Sequence, residues 1–369
     1  MERIARFIEQ VTPALEEAVA RALPGATLVG VEPLAPDAGE ADDTMKAAGY
    51  GIPLRLSVQG ADGGRSTLVF HTATANVFGH DRRADRAAEM ILGYDTFNRI
   101  PRHVRALDVG AVRLTGGLVS LHDAGEFYLL TEYAEGHVYA DDLRRIARSA
   151  RLEPSDLERA RALARHLVTI HAERAHAPAI YRRSVRDLVG SGEGIAGILD
   201  GYPDFVPGAP LSRLARIQEE ALRWRWALRG YEHRCRRIHG DYHPFNVLFG
   251  AERLPFLLDA SRGSLGDPAD DVTAMAINYV FFGVEHPGAW QPALSALWNE
   301  FWATYLGESG DEELLRVAAP FLAWRGLVVA NPVWYPAVTE GARDAVLTFI
   351  EAALASSRFD PRSAEDVFQ

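Results

Sequence analysis

Between residues 239 and 259 the chain sets three polar side chains at fixed offsets. Asp241 stands in His239-Gly240-Asp241-Tyr242-His243-Pro244-Phe245-Asn246, Asn246 follows five positions on, and Asp259 comes thirteen after that, directly behind the apolar run Pro255-Phe256-Leu257-Leu258. A carboxylate in such a loop can take a proton from an attacking hydroxyl, or orient it. A second carboxylate and an amide oxygen on adjacent short strands suit Mg2+, which uses few protein ligands and completes its shell with water and phosphate. Together the set suits phosphoryl transfer, a problem of positioning and charge neutralisation more than of covalent chemistry. Each residue also has a plain alternative: a loop carboxylate, an Asx turn beside Pro244, a strand-end cap. The three offsets matching at once speak against taking all three that way.

The elements that must carry these residues are readable on either side. An amphipathic helix is expected at the start, with Ile4, Phe7, Ile8, Val11, Leu15, Ala18 and Leu23 at helical spacing and Pro24-Gly25 as its stop. ATLVGVEPLA (26–35) reads as a strand, PLRLSVQG (53–60) and STLVFHTA (66–73) as a hairpin about ADGG, and residues 80–100 as a helix. AVRLTGG and EFYLLTEYAEG (126–136) read as two more strands. Beyond Gly136 the pattern turns helical: DDLRRIARSA, then 155–173 with Ser155 as N-cap and Glu158 completing a capping box, then 213–235. A short β island, 236–250 and 254–263, holds the polar set, and the remainder is helical again. A β-rich front and a helical back predict two lobes divided near residue 133, 1–133 and 134–369, with a ligand cleft between them. The fold class expected is α+β, an antiparallel sheet lobe and a helix-rich lobe.

Composition removes other classes. The 369 residues contain 48% hydrophobic and 24% charged residues, ordinary for a globular chain, so disorder of the bulk is excluded. The net charge of −11 argues against a nucleic-acid partner. The first segment carries four glutamates and is neither a secretory signal nor a membrane span, and no other long apolar run follows. Cys235 stands alone, so there is no internal disulfide and no zinc cluster, and a reducing, cytoplasmic setting is expected. A single lysine, Lys46, occurs among 39 basic residues. The sequence leaves the oligomeric state open.

The motif HGDYHPFN followed by LLDA resembles that of the aminoglycoside phosphotransferases and related small-molecule kinases, whose pattern is H-G-D-x-x-x-x-N and then two apolar residues and Asp. GDPADDV (266–272) resembles that family's G-D-P-x-x-D stretch, and LLTEYAEG (129–136) its hinge. The likeness runs over roughly residues 44–285. It implies a bilobal protein-kinase-like fold, ATP or GTP as co-substrate, Mg2+, and a small hydroxylated acceptor. It further implies Asp241 as catalytic base, Asn246 and Asp259 as Mg2+ ligands, and His239 as orienter of the loop. Asp267 and Asp271 take structural and pocket-edge places, and the hinge at Glu132 and Ala134 meets the adenine.

One position departs from that pattern. The family carries a lysine on the third strand, and alternation of LVFHT puts Val69 on the adenine side and His71 in the lysine slot. Three readings stand: His71 is the cation, favoured by Glu89 and the triphosphate; Lys46, before Gly49-Tyr50-Gly51, reaches the phosphates; or no cation is supplied. The last leaves a non-catalytic, pseudokinase-like protein that binds a nucleotide or small molecule. Gly49 and Gly51 stand in for a fuller glycine-rich loop. His243, Asp271 and Trp334, in NPVWYP, are candidates for the acceptor pocket beside packing roles, and Asp270 and Glu340 are candidates for a cationic acceptor.

Overall fold

The computed structural model describes residues 2–34, 53–250, 254–260 and 262–368. Lys46, Gly49 and Gly51 lie outside them. The chain divides into two compact units, Met1–Thr131 and Glu132–Gln369.

In the first unit, helix α1 (Glu2–Ala22) packs on a three-stranded antiparallel sheet of β1 (Thr27–Pro33), β2 (Leu54–Gln59) and β3 (Arg65–Phe70) in the order β1-β2-β3. The reason is periodicity. Val11, Leu15 and Val19 recur every four residues along one face of α1, and Leu54, Leu56 and Val58 alternate on the central strand. The six are buried as one cluster, with Leu68 and Phe70 of β3 packed against it. Burial of each such side chain stabilises by about 1.5–3 kcal/mol. Leu54↔Phe70 and Leu56↔Leu68 fix the register of the hairpin. Helix α2 (Arg83–Phe97) begins with the Asp85 carboxylate accepting the Arg82 amide at 2.8 Å, and β4 (Gly110–Val112) pairs antiparallel with β5 (Leu118–Ser120).

The expected strand over 126–136 is not formed. Residues 121–136 join no ladder, and Phe127, Tyr128, Leu129, Leu130 and Tyr133 are exposed. An apolar run reads as a buried strand only if a neighbour takes its backbone groups, and none does among the described residues. Pairing resumes at β6 (His137–Val138).

The second unit is helix-rich. It runs through α3 (Tyr139–Ser149), α4 (Pro154–His171), α5 (Pro178–Gly190), α6 (Ile195–Asp200) and α7 (Leu211–Ala227) to the β island, which comprises β7 (Arg236–Arg237), β8 (Val247–Phe249), β9 (Pro255–Leu257) and β10 (Leu265–Gly266). Then come α8 (Ala269–Glu285), α9 (Ser295–Ser309), α10 (Leu314–Ala330) and α11 (Glu340–Ala355). Strand order is β6-β8-β9 in one small sheet and β7-β10 in another, all antiparallel. Residues 269–284 of α8 are all buried, so this helix is the axis of the unit, as its all-round apolar character requires. Its polar side chains stay satisfied: Thr273 donates to the Ala269 carbonyl at 2.7 Å and Asn278 to that of Ala274 at 2.7 Å.

Two local expectations shift. Helix α4 starts at Pro154, with Glu153 as N-cap and Asp156 returning the bond, in place of Ser155 and Glu158. Proline fits the first helical position because its fixed φ and missing N–H cost nothing there, which moves the cap two residues earlier. The predicted helix 213–235 ends at Ala227 and tightens into a 3-10 segment, Leu228–Arg234. No helix of the described residues is long and apolar enough to cross a membrane.

Candidate active site

Asp241 is held by its backbone before its side chain is considered. Asp271, in the first turn of α8, is wholly buried. Its Oδ2 accepts the His239 amide at 2.7 Å and its Oδ1 the Gly240 amide at 2.7 Å. His171 of α4 donates from Nε2 to the same Oδ2 at 3.1 Å, while its Nδ1 takes the Tyr305 hydroxyl at 2.8 Å. Burial alone would raise the Asp271 pKa. His171 and the two amides outweigh it and hold the carboxyl below its ordinary range. Gly240 has φ +84, and a Cβ on it would meet the Gly263 carbonyl at 3.1 Å, so glycine is required there. The His239 ring turns back on the loop and accepts the Asp241 amide at Nδ1, 3.2 Å away.

The Asp241 side chain, half-buried, is met from four directions. Asn246 Nδ2 donates to its Oδ2 and to its carbonyl, both at 3.1 Å. His243 Nε2 faces Oδ2 at 3.4 Å. Arg325 Nη1 donates to Oδ1 at 2.9 Å, and Arg262 approaches the same oxygen with Nη1 and Nη2 at 3.3 Å. Burial pushes the carboxyl pKa up, but His243, Arg325 and Arg262 together pull it far below the usual carboxylate range. Both arginines also reach Asp270 Oδ1, Arg325 at 2.9 Å and Arg262 at 3.4 Å. Burial nonetheless leaves Asp270 raised.

Asn246 and Asp259 are joined through the sheet. Asn246 closes a 3-10 turn, Pro244–Asn246, just before β8. Its carbonyl accepts the Leu258 amide at 2.9 Å, and Asp259 is the next residue, exposed, at φ +48. That left-handed conformation is uncommon off glycine and best tolerated by Asp and Asn. Among the described residues Asp259 makes no hydrogen bond or ion pair, and the Asn246 Oδ1 accepts none. An amide oxygen and a carboxylate left without donors, on neighbouring strands, are the hard oxygen set a magnesium ion takes.

Several expected residues fall elsewhere. Asp271 belongs to the loop frame, not to an acceptor pocket, because both its oxygens are spent on backbone amides and His171. Asp270 is likewise closed to a cationic acceptor by its two arginines. His243 is turned inward: Nδ1 accepts the Phe245 amide at 3.2 Å, so the proton sits on Nε2, facing Asp241. Trp334 is 65% exposed in the turn between α10 and α11, and Glu340 opens α11. Its neighbour Tyr335 is the more enclosed, packed on Phe281 at 4.8 Å, with its hydroxyl pKa raised by burial and Glu285. Asp267 is structural: Arg234 donates to it from Nε and Nη2 at 3.0 Å, Tyr181 at 2.8 Å, and it caps the Ala269 amide.

In the first unit Val69, between Leu68 and Phe70 of the apolar cluster on β3, is exposed, and His71 is exposed one residue beyond β3. Glu89 pairs with His80, whose Nδ1 is 3.1 Å from its Oε2, not with His71. Histidine at position 80 lies on the approach to α2, nine residues before Glu89, so the partner is local. Glu132 is exposed and Ala134 half-buried where the second unit begins.

Arg325 and Arg262 were not foreseen. Arg325 had a signal: it is a charge inside the apolar stretch VAAPFLAWRGLVVA of α10, where a buried cation needs a buried anion.

Residues 57–308, more than half the chain, match the sequence profile of the Phosphotransferase enzyme family. No curated protein matches the sequence. Among solved structures, a glucosamine kinase in complex with glucosamine, ADP and inorganic phosphate is 15% identical, with TM-score 0.41 over 90% of this chain and 97% of that one. A second crystal form of glucosamine kinase gives 18% identity and TM-score 0.38, and there the match covers 58% of this chain and 59% of that chain. A choline/ethanolamine kinase family protein from Mesorhizobium loti is 15% identical, with TM-score 0.36, over 97% and 99% of the two chains.

Proposed function

Because the chain belongs to the Phosphotransferase enzyme family, we propose that it moves the γ-phosphoryl group of ATP or GTP to a hydroxyl of a small molecule. The observation that carries this reading is the state of three side chains. Asp241 is an ionised, fixed carboxylate, while Asn246 Oδ1 and the carboxylate of Asp259, the residue after Leu258 whose amide bonds the Asn246 carbonyl, lack donors among the described residues. Asp241 accepts the hydroxyl proton and orients the oxygen toward the γ-phosphorus. Asn246, through Oδ1, and Asp259 would hold Mg2+, which when bound neutralises charge on the β- and γ-phosphates. Asn246 keeps its Nδ2 on Asp241, so one side chain links the metal position to the acceptor position. His239 and Asp271 fix the loop and take no part in proton movement.

Val69, Glu132 and Ala134 are proposed for the adenine, and His71 for the phosphates, with Lys46, Gly49 and Gly51 as the other candidates. The missing strand lysine and the pairing of Glu89 with His80 favour a second reading, a nucleotide-binding protein that does not turn over. Thermal unfolding with Mg2+ and ATP or GTP, together with ADP or GDP release, separates the two. Nucleotide at 100 times its Kd stabilises by about 2.7 kcal/mol in either case, but only the enzyme releases diphosphate. Asp241→Ala should lower release on the order of 100-fold or more and leave nucleotide affinity nearly intact. Unchanged release in that variant removes Asp241 from the mechanism.

A further inference from the structure

Asp270 and Asp271 are neighbours in the first turn of α8, and they hold Asp241 in two different ways. Asp271 fixes the loop backbone through the amides of His239 and Gly240. Asp270 touches the Asp241 side chain through a guanidinium. Arg325 places Nη1 on Asp241 Oδ1 and Nη2 on Asp270 Oδ1, both at 2.9 Å, so its rigid plane sets the spacing between two carboxylate oxygens.

Arg325 has little freedom of its own. Its side chain is 9% exposed, and its guanidinium lies over the Trp324 ring, 3.9 Å from the centroid. That ring is anchored, since its Nε1 donates to the Glu193 carbonyl at 2.9 Å. Arg262 approaches the same ring at 4.2 Å and the same two carboxylates at longer range. The arrangement is expensive in stability. The Arg325 Nε is buried without a hydrogen-bond partner among the described residues, an uncompensated desolvation, and a buried ion pair is often no better for folding than an apolar pair of similar volume. A cluster kept for stability alone does not need it.

We propose that Arg325 is a positioning residue for phosphoryl transfer: by tying Asp241 Oδ1 to Asp270 it holds the Asp241 carboxylate in one rotamer, so that the acceptor hydroxyl meets it in a single orientation. The inference rests on the reading of Asp241 given above. Arg325 acts through Asp241 and touches neither nucleotide nor metal ligand.

The test uses the full chain and ADP release from Mg·ATP, with glucosamine, ethanolamine, choline, glucose and glycerol as probe acceptors and water as the background acceptor. Arg325→Gln should lower kcat on the order of 100-fold, the loss expected when a reacting group is misplaced by about 1 Å, with KM for ATP within about twofold. Arg325→Lys should recover little, because an ammonium cannot bridge two carboxylates as a plane does. Methylguanidine added to Arg325→Ala should restore part of the lost kcat. Arg325→Gln leaves buried Asp270 with only the longer Arg262 contact, so the pair Asp270→Asn with Arg325→Gln is made as well. It should regain Tm without regaining kcat. Recovery of kcat together with Tm in that pair, or a kcat for Arg325→Gln near the wild-type value, overturns the proposal while leaving Asp241 in place. No ADP release by the wild type with any probe overturns the catalytic reading itself, and the proposal with it.

Discussion

Replacing Asp271 by alanine tests the frame of the catalytic loop. The carboxylate is 0% exposed and accepts two amides at 2.7 Å and the His171 Nε2 at 3.1 Å. Hydrogen bonds to a charged group contribute about 1.5–3 kcal/mol each, and an abandoned buried N–H costs about 1–3 kcal/mol. These terms overlap, because the His239 and Gly240 amides can relax toward water. Loss of one member of a buried charged network therefore costs about 3–5 kcal/mol. A unit of this size loses about 2–4 °C per kcal/mol, so Asp271→Ala should lower Tm on the order of 10 °C. Asp271→Asn should lose nearly as much, since its amide presents one oxygen and an NH2 to two N–H donors. The assay is thermal unfolding by circular dichroism, with urea midpoints as a check. A fall of under about 1 kcal/mol for either variant would refute the claim that this side chain sets the loop.

The pH dependence of that difference follows from the same contacts. Burial favours the neutral Asp271, but His171 and the two amides prevail and its folded pKa lies below the unfolded value. Its contribution is thus full above the unfolded pKa, about 3.9, and is lost as pH falls through the lower folded value. The Tm gap between wild type and Asp271→Asn should stay constant from about pH 7 to 5 and narrow below about pH 4; a gap that narrows already near neutrality contradicts the assignment. Gly326→Ala sets two effects against each other. Alanine gains about 1 kcal/mol of helix propensity, but its Cβ would collide with Cγ2 of Ile350, which is fully buried on α11. Overpacking costs about 1–3 kcal/mol, so the variant should be less stable, read as a lower urea midpoint. A more stable Gly326→Ala would mean that α10 and α11 separate easily.

Much of the site was legible because its residues are close in sequence. The offsets of Asp241, Asn246 and Asp259 encode one loop and one strand pair, and the Val247↔Leu257 register is what brings them together. The hairpin of β2 and β3 and the buried face of α1 were legible for the same reason, a period of two or of nearly four. What long-range packing decides was not. His171 meets Asp271 and Arg325 meets Asp241 across 100 and 84 positions, and no spacing rule spans such gaps. Asp270 and Asp271 looked like acidity available to a ligand until α8 was seen to be buried on every side. The segment 126–136 has the residues of a strand, yet a strand exists only where a second one takes its hydrogen bonds.

The bidentate grip of Asp271 has a consequence for anyone who would transplant this chemistry. The shape of the His239–Asn246 segment is not stored in that segment; half of it resides in the first turn of a helix about thirty residues downstream. Moving the loop alone into another scaffold would move a motif without its mould. The portable module is loop and helix together, and a recipient must supply the dry interior in which a single carboxylate can serve as a hinge pin for both.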